Sequence, residues 1–88
     1  MSIEVLRRIY DMQRYRVSEY SYPAGTAFTG RTRAVTWYVL SGVCRVRTDE
    51  ETLLREGDVA EIGATEYSLF VDSDLKFVAV WDLAPYMN

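Results

Sequence analysis

The sequence predicts an all-β barrel or sandwich preceded by a short helix. Short runs rich in Val, Tyr, Trp and Phe alternate with turn residues at regular spacing over most of the 88 residues. The rhythm of the first dozen residues is helical instead, and the chain contains no histidine. Two expectations follow at once: a single small β domain, and a chemistry that cannot use imidazole.

The opening segment places Glu4, Arg7, Arg8 and Asp11 on one stripe and Val5, Leu6, Ile9 and Met12 on the other, the spacing of an amphipathic helix. Residues 1–13 are therefore read as a helix of about three turns, with Ser2 as its N-cap and its apolar stripe laid against the barrel. From Tyr15 the period becomes two. Tyr15 to Tyr22 forms a strand stopped by Pro23-Ala24-Gly25, where proline removes a ladder donor and glycine allows a left-handed turn. Thr26 to Arg33, with Gly30 in its middle, reads as irregular. Val35 to Leu40 is a strand, Ser41-Gly42 a bend, and Val43 to Thr48 turns through Asp49-Glu50 to return as Thr52 to Arg55. In that hairpin Cys44 and Val46 face one way and Arg45 and Arg47 the other. Glu56-Gly57-Asp58 is a tight turn, Val59 to Ile62 and Ser68 to Val71 are short strands, and Asp72-Ser73-Asp74 turns into Lys76 to Leu83.

Composition bounds the function. At 49% hydrophobic and 14% aromatic the chain is a folding domain, and its length excludes a second domain. Apolar runs of about five residues fall far short of the roughly 18 that span a bilayer, and no secretory pattern opens the chain. A cytoplasmic protein is expected. Cys44 stands alone and reads as a buried thiol acting as a small hydrophobe. Residues 1–48 carry eight arginines against three acids, a net of +5, while residues 49–88 carry two basic residues against ten acids, a net of −8. Early strands that pair with late ones would neutralise this asymmetry across the ladders, so no nucleic-acid partner is expected.

Three stretches resemble the cupin family. Pro23-Ala24-Gly25 is similar to the opening of its first motif, Tyr38-Val39-Leu40-Ser41-Gly42 to the end of that motif, and Arg55-Glu56-Gly57-Asp58-Val59 to the start of its second. The resemblance covers residues 15–83 and implies a cupin-like (jelly-roll) β-barrel, with residues 1–88 as one domain. It also implies positions for metal ligands. Counting back from Gly42 puts the paired histidines at Thr29 and Arg31 and the glutamate at Val35; counting from Gly25 puts the histidines at Arg31 and Arg33. The second motif's proline and histidine fall at Gly63 and Ser68. None of these is a ligand of the imidazole, thiolate or clustered-carboxylate kind, so no metal and no cofactor are expected.

Glu19, Glu61, Glu66 and Tyr67 are the only candidates for metal-free acid-base work, and none has a partner at a diagnostic spacing. A binding role is better supported: Arg31 or Arg33 at the barrel mouth could fork onto a carboxylate or phosphate, with Trp37, Tyr38, Ser68 and Trp81 completing the wall. A small anionic organic ligand is the expected partner. Trp37 to Leu40 and Phe77 to Trp81 are apolar on both faces, which calls for cover from the N-terminal helix or from a second copy, and a homodimer is expected. The expected function is thus a non-catalytic, metal-free small-molecule binding or sensing module; a small metal-independent isomerase or lyase, or a purely protein-interaction module, are the alternatives.

Overall fold

The computed structural model describes residues 1–86. Helix α1 covers Ile3–Ile9. Ser2 caps it, its Oγ accepting the Val5 N–H at 3.3 Å, and Glu4 in the first turn and Arg7 and Arg8 in the last complement the helix dipole. It has two turns where three are expected, because Tyr10 is already extended and Asp11 starts a competing turn. The Asp11 carboxylate accepts the Gln13 N–H at 2.9 Å and its carbonyl accepts those of Arg14 and Tyr15.

Six antiparallel strands follow: β1 (Tyr15–Tyr22), β2 (Ala27–Thr32), β3 (Val35–Arg47), β4 (Glu51–Arg55), β5 (Val59–Ile62) and β6 (Thr65–Asp82). A short 3-10 turn closes the described chain at Ala84–Tyr86. The long strands β3 and β6 pair from Val35/Trp81 to Arg47/Ser68 and form the spine of the fold. On one half of this spine lie β1 and β5; on the other half lie β2 and β4. The sheet does not close, since β1 and β2 each pair only with β6.

The bend between the halves sits where the sequence shows turn residues, but it interrupts neither long strand. Register shifts separate Val39 from Cys44, and Gly42 takes φ +88° in contact with the β6 backbone. A Cβ on Gly42 would overlap the Asp74 carbonyl oxygen and stand 2.9 Å from Leu75 Cα, so only glycine fits. The bend changes the inward parity of β3, from Val35, Trp37 and Val39 to Cys44 and Val46. Likewise Asp72-Ser73-Asp74 is a distortion within β6, and two turns are bonded to this end. Gly25 N–H donates to Val71 O and Ala24 N–H to Asp74 Oδ1, while Val39 and Asp58 are joined by the Val39 N–H to Asp58 O bond.

The segment read as irregular is strand β2. Its Gly30 has no side chain to pack, but the Tyr67 ring on the paired strand lies 3.5 Å from where a Cβ would be and fills the space.

Two cores share the β1-β6-β3-β5 half. The inner one, between the halves, contains Val35, Trp37, Val39, Cys44, Val46, Leu54, Leu69 and Phe77. The outer one consists of Leu6, Val17, Val78 and Val80, with Ile3, Tyr10, Tyr15, Tyr38 and Leu40 around them. The second apolar face of Trp37 to Leu40 and Phe77 to Trp81 is thus covered by α1 of the same chain. The helix does so with Ile3, Leu6 and Tyr10; of the expected stripe only Leu6 is buried, and Val5, Ile9 and Met12 point to solvent.

Charges pair between the basic first half and the acidic second half. Arg14 grips Asp82 with two bonds of 3.0 and 2.8 Å, Arg45 grips Asp72 with two of 3.1 Å, and Arg47 reaches Glu51 at 3.3 Å. Being exposed, these pairs are screened by solvent and add little to stability. No helix among the described residues is long and apolar enough to cross a membrane.

Candidate functional site

Strand β2 decides what faces the barrel interior. Phe28 packs into the inner core and Gly30 abuts the inward Tyr67 ring, so by alternation Phe28, Gly30 and Thr32 point in while Thr29 and Arg31 point out. Both motif counts land on odd positions of this segment, one residue out of phase with the interior. Arg31 lies on the outer face opposite Glu66, and the Ser68 hydroxyl is 2.9 Å from that of Thr29 on the same face. Neither Arg31 nor Ser68 lines the barrel, which corrects their placement at its mouth. Tyr38 is also outside, its hydroxyl bonded to that of Tyr10 beneath α1. Trp37 is inside but only 4% exposed, a core residue and not a wall of an open site.

The interior between the two halves is filled by rings. Tyr22, Phe28, Tyr67, Trp37 and Phe77 form a closed circuit of neighbours, with centroid separations of 5.4, 6.1, 5.7, 4.6 and 6.2 Å in that order back to Tyr22. Most of these contacts are edge-on or tilted, the geometries that aromatic quadrupoles favour. Burial, reinforced by the neighbouring phenols, holds the Tyr22 and Tyr67 hydroxyls above the ordinary tyrosine range, so they are poor sources of an anionic ligand. Val35, at the expected glutamate position, is buried and apolar. Among the described residues no three His, Cys, Asp or Glu side chains come together, and the interior donor set does not fit a metal.

Above the rings the barrel opens beside Trp81. A cleft of about 320 Å³ is lined by Arg16, Arg33, Trp81, Asp82 and Leu83. Arg16 and Val35 both pair with Trp81, so Arg16 stands on the inward side of β1. Its guanidinium lies 5.5 Å from the centre of the Trp81 ring, and its Nε donates to Ser18 Oγ at 3.4 Å. Arg33 enters from the connection between β2 and β3. The Asp82 carboxylate is clamped by Arg14 and takes the Ala84 N–H at 3.0 Å, which together hold it below the usual carboxylate range. Trp81 links the cleft to the rings below through Tyr20, 6.1 Å away.

The structure therefore brings together Arg33 and Trp81 of the six expected residues. Arg16 was missed; the signal was the even-numbered alternation of β1 (Arg16, Ser18, Tyr20, Tyr22), readable as one face once the strand is granted. The acid-base candidates are dispersed. Glu19, Glu61 and Glu66 are exposed, Tyr67 is inside, and no charged side chain is buried among the described residues.

No family model matches the chain, and no curated protein does. Solved structures do match. A cupin superfamily protein from Desulfitobacterium hafniense superposes with a TM-score of 0.70 at 16% identity, over 83% of this chain and 71% of the other. A cupin-2 domain-containing protein from Shewanella frigidimarina gives 0.66 at 14% identity, over 84% and 76%. Enzymes share the architecture: a variant of salicylate 1,2-dioxygenase from Pseudoaminobacter salicylatoxidans gives 0.73 at 24% identity, over 86% of this chain but only 23% of that one. Identities this low speak for the backbone and not for the chemistry. The bent spine of β3 and β6, the four shorter strands arranged around it and these superpositions make this chain a cupin-fold domain.

Proposed function

We propose that the domain is a non-catalytic, metal-free module that binds or senses a small anionic organic molecule at the barrel mouth. The observation that carries this reading is the pairing of Arg16 and Arg33 around Trp81 in one cleft. Guanidinium groups fork onto carboxylates and phosphates, and an indole beside them gives the apolar wall such a ligand needs. An isomerase or lyase is less well served, since among the described residues no carboxylate is buried beside the interior tyrosines to relay a proton. Within this reading the module acts in the cytoplasm, where a lone thiol such as Cys44 suits the reducing conditions.

The test is calorimetry with a panel of organic acids and sugar phosphates, repeated on Arg16→Ala and Arg33→Ala. Binding by at least one anion, weakened about tenfold or more by either substitution, is the expected result. Silence across the panel, or binding indifferent to both substitutions, overturns the proposal.

The same reading includes a homodimer, now supported by a different surface. On α1 Val5 and Ile9 are exposed, as are Met1 and Met12 beyond its two ends, and Val59 beside Tyr38 is 56% exposed on the sheet face that α1 covers. A two-fold axis across α1 would set Glu4 of each copy near Arg8 of the other, a self-complementary arrangement around the apolar stripe. Light scattering should give twice 10.2 kDa, and Ile9→Glu should halve the mass. A wild-type monomer at micromolar concentration would rule the dimer out.

A further inference from the structure

The sheet face opposite the barrel interior carries a second cleft, of different chemistry. It encloses about 380 Å³ where the end of α1 meets the strands, and its lining includes Tyr10, Tyr15, Thr36, Glu61, Val80 and Asp82. Glu61 pairs with Thr36 across β5 and β3, so both side chains stand on the face that α1 covers. The Tyr10 ring meets Tyr15 edge-on at 4.9 Å and Tyr38 at 6.3 Å, which fixes a tyrosine wall over the cleft.

The charges around the cleft do not cancel. Asp82 is neutralised by the two-bonded grip of Arg14, whereas Glu61 makes no ion pair among the described residues. Glu61 contributes to raising the proton affinity of Tyr10, which places its negative charge close to the phenol. Glu61 thus sets one unpaired negative charge beside aromatic rings. The protein already uses one of these rings in this way: the Arg14 guanidinium rests 5.0 Å from the centre of Tyr15.

We propose that this cleft binds a small organic ammonium ion, with the Glu61 carboxylate as its counter-charge and the Tyr10 ring as its cation-π wall. An ammonium head group needs both elements, because a ring face alone at a partly exposed site contributes only about 0.5–1 kcal/mol. The Thr36 hydroxyl offers a neutral acceptor for an N–H or O–H of the same ligand. The two clefts share Asp82 in their linings, but the anion cleft lies at the barrel mouth and attracts the opposite charge.

The experiment is an amide NMR titration with choline chloride, run beside its uncharged isostere 3,3-dimethylbutan-1-ol and repeated on Glu61→Gln. Because Glu61 is exposed, the variant should fold as the wild type does. Choline should give saturable shifts centred on Tyr10, Tyr15, Thr36 and Glu61 with a Kd on the order of 1 mM, and Glu61→Gln should weaken it about tenfold. Shifts of equal size with the isostere, no effect of Glu61→Gln, shifts centred elsewhere, or no saturable shift would each overturn the proposal. Choline cannot report on the Arg16 and Arg33 cleft, so the two sites stand or fall separately.

Discussion

The two faces of the β1-β6-β3-β5 half-sheet are built from the same strands, yet they are covered in different ways. The inner face presents Trp37, Phe77, Ala79 and Trp81 to the other half of the spine, and large rings interlock there. The outer face presents Tyr38, Val78 and Val80 to a two-turn helix, and the cover stops short of Val59 and Glu61. Inner contacts are held by the long strands themselves, whereas the outer cover is a terminal segment attached by Leu6, Ile3 and the Tyr10 hydroxyl. Apolar residues on both faces of a strand therefore need not signal a second protein; here one side is the barrel and the other a helix. Local opening should start on the helix side, which has few buried contacts.

Substitutions can break this contrast or refine it. The largest effect is expected at the hinge that creates the inner face: Gly42→Ala drives a methyl into the Asp74 carbonyl and should cost on the order of 4 kcal/mol or more, leaving little cooperative unfolding by urea. Next, Phe77→Ala should cost about 3–5 kcal/mol and Leu6→Ala about 2–3 kcal/mol, with hydrogen exchange accelerating across the whole sheet for the first and mainly near α1 for the second. A larger loss for Leu6→Ala would reverse the ranking of the two faces. Tyr38→Phe, which removes the partner of Tyr10, should cost about 1 kcal/mol.

The Tyr10 pair also gives the outer face a dependence on pH. Its bond to Tyr38, helped by burial and by Glu61, pushes the Tyr10 pKa up to about 12 from an ordinary value near 10. The unfolded chain loses this proton first, so the stabilisation is present below pH 10 and declines as pH rises toward 12. Denaturation curves across that window should fall less steeply for Tyr10→Phe than for the wild type. The smallest signal belongs to the inner face: Cys44, 0% exposed and raised to about 11 by burial, should alkylate only at the rate of unfolding, and rapid labelling of the native protein would show that the core opens.

Much of the architecture was legible from local patterns. Tyr15–Tyr22 and Val59–Ile62 appear with the expected bounds, as does the Cys44/Val46 and Arg45/Arg47 division. The β3 and β6 bends looked like turns because Ser41-Gly42 and Asp72-Ser73-Asp74 carry turn residues; only the pairing of two long strands makes them interruptions of register. Strand β2 was hidden by Gly30, whose weakness as a strand former is offset by a ring on a residue 37 positions later, Tyr67. Of the candidate residues, Arg33 and Trp81 line one cleft, while Arg31, Tyr38 and Ser68 stand on the outer face of their strands.

The order of amino acids was enough to establish what depends on neighbours along the chain: the alternation of strands, the glycine turns, the capped helix and the want of imidazole. Tertiary structure alone decided which side of each strand is inside and what covers it. A slip of one residue turns every side chain to the opposite face, and here Gly30 and not Arg31 points inward because β2 is registered against β6. Cover is equally non-local, since residues 3–10 shield positions 78 and 80 only after the whole spine has formed.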